Sequence, residues 1–267
     1  MADVFFERDA DEFVPTELTR GPWDPDGQHA GPPAALLGRA IERIGADSRE
    51  PGAPPTRVGR VTYEILRSVP IAPLTVSTRV LRPGRRVELV EANLRDRDGE
   101  VMRATAWRLR PKEVELPRGL TRGEPPPAPK SGSEGDFFPT GHEVGYHTAM
   151  EYRFVAGAFL DPGPATVWMR MRHPLVAGED PSPLQRVLIA ADSGNGVSAT
   201  LDYHAYLFIN VDLTVQLHRM PAGEWVCLDA VTIPEPTGIG LADTALHDER
   251  GPIGRATQTL LVAEREG

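Results

Sequence analysis

Two stretches of this chain repeat one another, and a duplication restricts the fold more than any single motif in it. At an offset of 152, Leu94, Asp96, Gly99, Arg103, Ala104 and Thr105 find identical partners in Leu246, Asp248, Gly251, Arg255, Ala256 and Thr257. Upstream the offset is 151, pairing Leu66 and Pro70 with Leu217 and Pro221, so one gap reconciles the registers. Two copies are too few for a solenoid. They predict a duplicated domain whose halves pack like the subunits of a two-fold dimer, helices side by side and sheets joined. A segment from about Arg110 to Tyr146, with Gly123-Glu124-Pro125-Pro126-Pro127 and Lys130-Ser131-Gly132-Ser133-Glu134-Gly135, has the composition of an extended linker. The expected division is therefore a first half over 1–110, a linker over 111–146 and a second half over 147–267.

Each half reads as one helix followed by an antiparallel meander. Pro32 and Pro33 open a run with Leu37, Ala40, Ile41 and Ile44 at helical spacing. In the second half Ser182 is an N-cap before Pro183, and Leu184, Val187, Leu188 and Ala191 form the apolar stripe. Val211, Leu213, Val215 and Leu217 alternate with Asn210, Asp212, Thr214, Gln216 and His218, the period of a half-buried strand. Similar runs cover 74–81, 87–95, 101–109, 225–233 and 253–262, with turns at Asp96-Arg97-Asp98-Gly99 and Asp248-Glu249-Arg250-Gly251. One helix against so long a meander predicts an α+β half in which the sheet wraps around the helix.

The rest of the sequence mainly excludes. Its one cysteine, Cys227, cannot form an intrachain disulfide and lies in the apolar run Trp225-Val226-Cys227-Leu228, as a buried inert thiol would. The N-terminal segment to Glu12 is acidic and has no long apolar run, so neither signal peptide nor membrane association is expected, and the cytoplasm is the expected compartment. A net charge of −9 disfavours nucleic acid as a partner. There is no P-loop, dinucleotide fingerprint, spaced Cys/His zinc set or G-x-S-x-G elbow, so no cofactor and no metal are expected.

The stretch Gly27-Gln28-His29-Ala30-Gly31-Pro32-Pro33, the strand Val211-Asp212-Leu213-Thr214-Val215-Gln216-Leu217-His218-Arg219 and the end Gly254-Arg255-Ala256-Thr257-Gln258-Thr259 resemble the thioesterase-like superfamily of tandem hotdog proteins, which includes the type II acyl-CoA thioesterases. The resemblance covers nearly the whole chain outside the linker. It implies a double hotdog, each half an antiparallel sheet wrapped around one long helix, and hydrolysis of acyl-CoA by an activated water without a covalent intermediate. The family's Asp after the second helix, Thr or Ser on the next strand and Gln on the last strand fall on Asp192, Asn210 and Gln258. Asn210 departs from the pattern: an amide can position water but supplies no hydroxyl.

The residues bear on this separately. Asp192 extends the series Leu184, Leu188, Asp192, which places a carboxylate beside the apolar stripe, a costly position unless the group is partnered or works as a base. The plainer alternative is that Asp192 only ends its helix, and Gln258 only decorates a strand. The repeat favours function: Asp192, Asn210 and Gln258 correspond to Ile41, Gly59 and Ala106, so all three polar groups are missing from the other copy. His29 could meet a substrate carbonyl, and backbone N–H groups around Gly31 could hold an oxyanion. Asp212 and Thr214 share a face with Asn210 in an unbroken strand and are secondary candidates. Arg82, Arg85 and Arg86, around Pro83-Gly84, could meet coenzyme A phosphates or form a solvated turn. Two functions remain open, an acyl-CoA thioesterase of lipid metabolism or a protein that binds acyl-CoA or another hydrophobic ligand without efficient turnover. Self-association into a dimer or larger form is expected in either case.

Overall fold

The computed structural model describes residues 2–45, 56–120, 123–137 and 139–265. Met1 and positions 121, 122 and 138 of the expected linker lie outside them. In the first half, β1 (Phe6–Asp9) and β2 (Glu12–Pro15) precede α1 (Gly31–Arg43), and β3 (Arg57–Ile65), β4 (Leu74–Arg82), β5 (Val87–Asp96) and β6 (Gly99–Leu109) follow it. A single turn, α2 (Tyr146–Ala149), leads into the second half. There β7 (Met150–Ala158) and β8 (Asp161–Met171) precede α3 (Pro183–Ala191) and the short α4 (Gly194–Val197). Then come β9 (Tyr206–Asn210), β10 (Asp212–Leu217), β11 (Val226–Pro234), β12 (Ile239–Asp248) and β13 (Gly251–Glu264).

Among the described residues thirteen strands form one antiparallel sheet, in the order β1-β2-β4-β5-β6-β3-β10-β13-β12-β11-β8-β7, with β9 paired to β13. Replacing each strand by its counterpart in the other half reverses this order onto itself, so the halves are related by a two-fold axis. The axis passes through β3 and β10, where residues 60–64 pair with 212–216 and Thr62 lies opposite Thr214. Thr214 donates its Oγ1–H to Thr62 Oγ1 at 3.1 Å. Each half is not a helix followed by a simple meander, as the periodicity suggests: two strands come first, and β3 lies beside β6 rather than β4.

The helices lie side by side and antiparallel on the inner face of the sheet. Near the C-terminal end of α1, Glu42 accepts from the Ser182 hydroxyl that caps α3, and Arg39 pairs with Glu179. Near its N-terminal end, a Cβ on Gly31 would collide with the Ile189 carbonyl oxygen, and one on Gly38 with a Leu188 methyl group. Gly31 thus permits a backbone approach that a larger residue would block, whereas at Gly38 the neighbour is the end of a flexible side chain. α1 spans 13 residues and α3 only nine, so a long helix in each half is not what the chain forms. α3 stops at Asp192, its C-cap, and the chain turns into α4.

The strand expected over 210–218 is broken. Asn210 pairs with Leu260 and Thr214 with Thr257, so four steps on one strand oppose three on β13, a β-bulge around Val211. A bulge exchanges the faces of the side chains that follow. Buried positions are Phe208 before it, and Leu213, Val215 and Leu217 after it. In the linker, regular structure among the described residues is one 3-10 turn, Pro129–Ser131, and a bridge from Ser133 to Phe154. It packs over the outer face of the second half, where the Pro127 carbonyl accepts from Trp168 Nε1 at 2.7 Å. No helix among the described residues is long and apolar enough to cross a membrane.

Candidate functional site

Where α3 stops, its C-cap side chain points toward the start of α1. Asp192 is 4% exposed, and its carboxylate is held by polar side chains. Its Oδ1 accepts from Asn210 Nδ2 at 2.8 Å and from Gln258 Nε2 at 3.3 Å, and its Oδ2 stands 3.1 Å from His29 Nδ1. Gln258, 1% exposed, also donates to the Asp192 carbonyl at 3.1 Å and accepts from the Asn195 N–H at 3.1 Å. Asp192, Asn210 and Gln258 therefore meet at one point, joined by His29 from the first half. They meet because of the bulge, which turns Asn210 inward to the helix end.

The same bulge separates Asp212 and Thr214 from that point. Their sharing of a face with Asn210, expected for an unbroken strand, does not hold. Asp212 accepts from the Thr259 N–H at 2.6 Å and from its hydroxyl at 3.2 Å, fixing the bulge, while Thr214 joins the halves at the two-fold axis. The arginines of the β4–β5 turn are also elsewhere. Val87 pairs with Leu109 and Leu109 with Arg57, so this turn lies at the opposite end of β3 from the site, which borders Ile65. Arg82 stacks over Trp107 and donates to the Val87 carbonyl, and Arg85 and Arg86 are exposed.

Gly31 contributes differently than expected. Pro32 and Pro33 have no N–H, the Ala34 N–H bonds to the Ala30 carbonyl, and the Gly31 N–H donates to His29 Nδ1 at 3.0 Å. The N-terminal turn of α1 thus offers an oxyanion little directly, and its donor acts on the imidazole. With Nδ1 accepting, the neutral ring carries its proton on Nε2. Burial holds the His29 pKa below its ordinary value despite the opposing pull of the Asp192 carboxylate, which keeps the ring neutral near pH 7. Tyr146 stacks on the ring, centroids 3.8 Å apart and planes 11° apart. Its hydroxyl donates to the Ile189 carbonyl at 2.7 Å and lies 2.9 Å from Ser193 Oγ, while burial raises its own pKa far above the usual phenol value.

Asp192, Asn210, Asn195 and His29 line one cleft of about 460 Å³. Its walls are mostly apolar, including Trp23, Ile65, Val69, Phe208 and Ile209, and Arg67, paired with Asp96, and Arg265, stacked on Trp23, also line it. Such a cleft admits a long, mainly apolar ligand with a polar group held over the carboxylate. Sequence reasoning missed Tyr146, at the edge of the linker, and Trp23, in a loop without periodicity. It missed Asn195 as well. Among the described residues no cluster of three or more His, Cys, Asp or Glu could hold a metal ion.

A family model described as the acyl-CoA thioesterase N-terminal domain matches residues 19–109, and one described as the acyl-CoA thioesterase C-terminal domain matches residues 122–262. No curated protein matches the chain. Among solved structures, it is similar to a protein assigned as a thioesterase II from Thermobifida fusca, at 17% identity, 97% of each chain and a TM-score of 0.73. A tesB protein from Mycobacterium avium subspecies paratuberculosis is 16% identical over 97% of this chain and 95% of its own, with a TM-score of 0.66. A protein of unknown function with a hotdog fold from Alicyclobacillus acidocaldarius is 14% identical over 98% and 96%, also at 0.66. At these identities the likeness is one of fold, the hotdog.

Proposed function

The chain belongs to the acyl-CoA thioesterase family, and on that premise we propose that it hydrolyses an acyl-CoA thioester to the free acid and coenzyme A, using a water activated by Asp192. The two hotdog halves are 1–110 and 147–267, and the second carries the polar centre. The observation that carries the reading is a buried carboxylate at the floor of an apolar cleft, held by Asn210 and Gln258 on one oxygen. Asp192 takes a proton from the water as its oxygen attacks the thioester carbonyl. A proton arriving on Oδ2 finds His29 Nδ1, at 3.1 Å, as its acceptor. The Nε2–H of His29 is the donor on the cleft for the developing oxyanion, in the place expected for the backbone around Gly31. The C–S bond then breaks, and the proton held at Asp192 leaves on the coenzyme A sulfur. Asn210 orients the carboxylate through its amide, whose nitrogen donates to Asp192 Oδ1 and to the Asp212 carbonyl.

A steady-state assay of free thiol release, over acyl-CoAs of increasing length, tests the reading; no release from any of them rejects it. A second reading, binding without turnover, is favoured by one observation: the Asn210 amide donates directly to Asp192 Oδ1 at 2.8 Å, a site where water would otherwise be held. Tight acyl-CoA binding with no thiol release would select it.

A further inference from the structure

Behind the cleft lies a second chamber of about 310 Å³, with walls from Phe159, Leu160, Leu201 and Tyr203. The two spaces share Trp23 and Phe208, whose rings meet edge to face with centroids 5.6 Å apart. These rings form a partition. A third space of about 40 Å³ touches His29 and Asn195 on the cleft side and Gly196 and Phe159 on the chamber side, a narrow neck beneath Trp23. Gly196 adds an independent sign that the chamber is open, since a Cβ there would meet nothing within 4 Å. The parts of the partition are unequal. Phe208 is 5% exposed on β9, whereas Trp23 is 39% exposed on a loop and rests between the Arg265 guanidinium and Tyr203.

We propose that the chamber is a subsite for the distal end of a linear acyl chain, and that Trp23 is the residue that closes it and so limits chain length. The inference rests on the reading that the cleft receives an acyl thioester with its carbonyl over Asp192. The chain then runs past Asn195 toward the neck, while the coenzyme A end faces the Arg67 side of the cleft. Each methylene that finds apolar wall adds about fourfold to binding, whereas one that meets the partition adds nothing. The parent protein therefore prefers chains that end at the indole, and opening the partition shifts the preference to longer ones.

The test compares kcat/KM for dodecanoyl-CoA with that for hexanoyl-CoA in the parent and in two variants, each checked for an unchanged melting temperature. Trp23→Ala should raise the ratio at least about tenfold, since several methylenes gain apolar wall. Adding Gly196→Leu to Trp23→Ala fills the chamber from its other side and should bring the ratio back toward the parent value. An unchanged ratio in folded, active Trp23→Ala overturns the proposal, as does a raised ratio that Gly196→Leu leaves untouched. If no acyl-CoA is hydrolysed, the hydrolytic reading fails, and the same ratio is then read from dissociation constants by calorimetry. A shift there sustains the subsite and its absence removes it.

Discussion

Asp192 makes contacts that separate its chemistry from its place in the fold. In Asp192→Asn the remaining oxygen can stay with Asn210 and Gln258, and the new NH₂ faces His29 Nδ1, which can accept from it. Shape and hydrogen bonds survive while the proton acceptor is lost. Thiol release should fall by about 10²-fold or more, with acyl-CoA affinity and melting temperature little changed. If Asp192 only ended α3, Asn would be among the best replacements and turnover would stay near that of the parent. Asp192 and Gln258 were legible because the other copy of the repeat has Ile41 and Ala106, fully buried core residues, at the matching places. Tyr146 was not, because its role depends on a ring stacked face to face from 117 positions away in the chain. No local periodicity records such a contact.

At the scale of the element, one extra residue in a strand decides which polar groups reach the site. The alternation of apolar residues over 210–218 is genuine from Leu213 onward, but alternation cannot reveal where a bulge resets the face. Asp212→Ala should therefore lower stability through the lost Thr259 bonds, yet reduce thiol release far less than Asn210→Ala, which strips a donor from Asp192. Comparable losses of activity would contradict the bulge. The helix pair gives a second contrast. Gly31→Ala drives a methyl group into a backbone carbonyl, which cannot rotate away, and should cost about 3 kcal/mol, at the upper end for overpacking. Gly38→Ala meets only the end of a leucine side chain and gains about 1 kcal/mol of helix propensity, so its net cost should be clearly smaller. Urea midpoints at constant m would rank the two, and Gly38→Ala as the more damaging would show that the helices pack differently.

For the whole molecule, the duplication was readable because equivalent β-hairpins kept their turn residues, and it led to a sheet with a two-fold palindrome. The leading strand pairs β1–β2 and β7–β8 left no such trace: β1 and β2 have four residues each, and β8 begins Asp161-Pro162-Gly163-Pro164, a composition that reads as loop. The folded chain also buries titratable rings that composition alone does not mark. His29, His142, His147 and His247 all have pKa values below the ordinary 6.5, with burial as the first cause in each. His142 Nε2, His147 Nδ1 and His247 Nδ1 are buried without a hydrogen-bond partner among the described residues. Because the unfolded chain binds protons at these sites more readily, their contribution to stability is complete above about pH 6.5 and is lost as pH falls through that value toward the folded pKa values. Carboxylates such as Glu179, held low by hydrogen bonds from Arg39, withdraw stability only at lower pH, from about 4.5 downward. The urea midpoint should thus fall already between pH 7.5 and 5.5, before the carboxylates titrate. His147 stacks on Phe137 with centroids 5.0 Å apart, so His147→Phe keeps a ring there and removes the titration. That variant should show a shallower fall over the same window, and a midpoint flat across it in the parent protein would mean that these histidines protonate in the folded chain as easily as in the unfolded one.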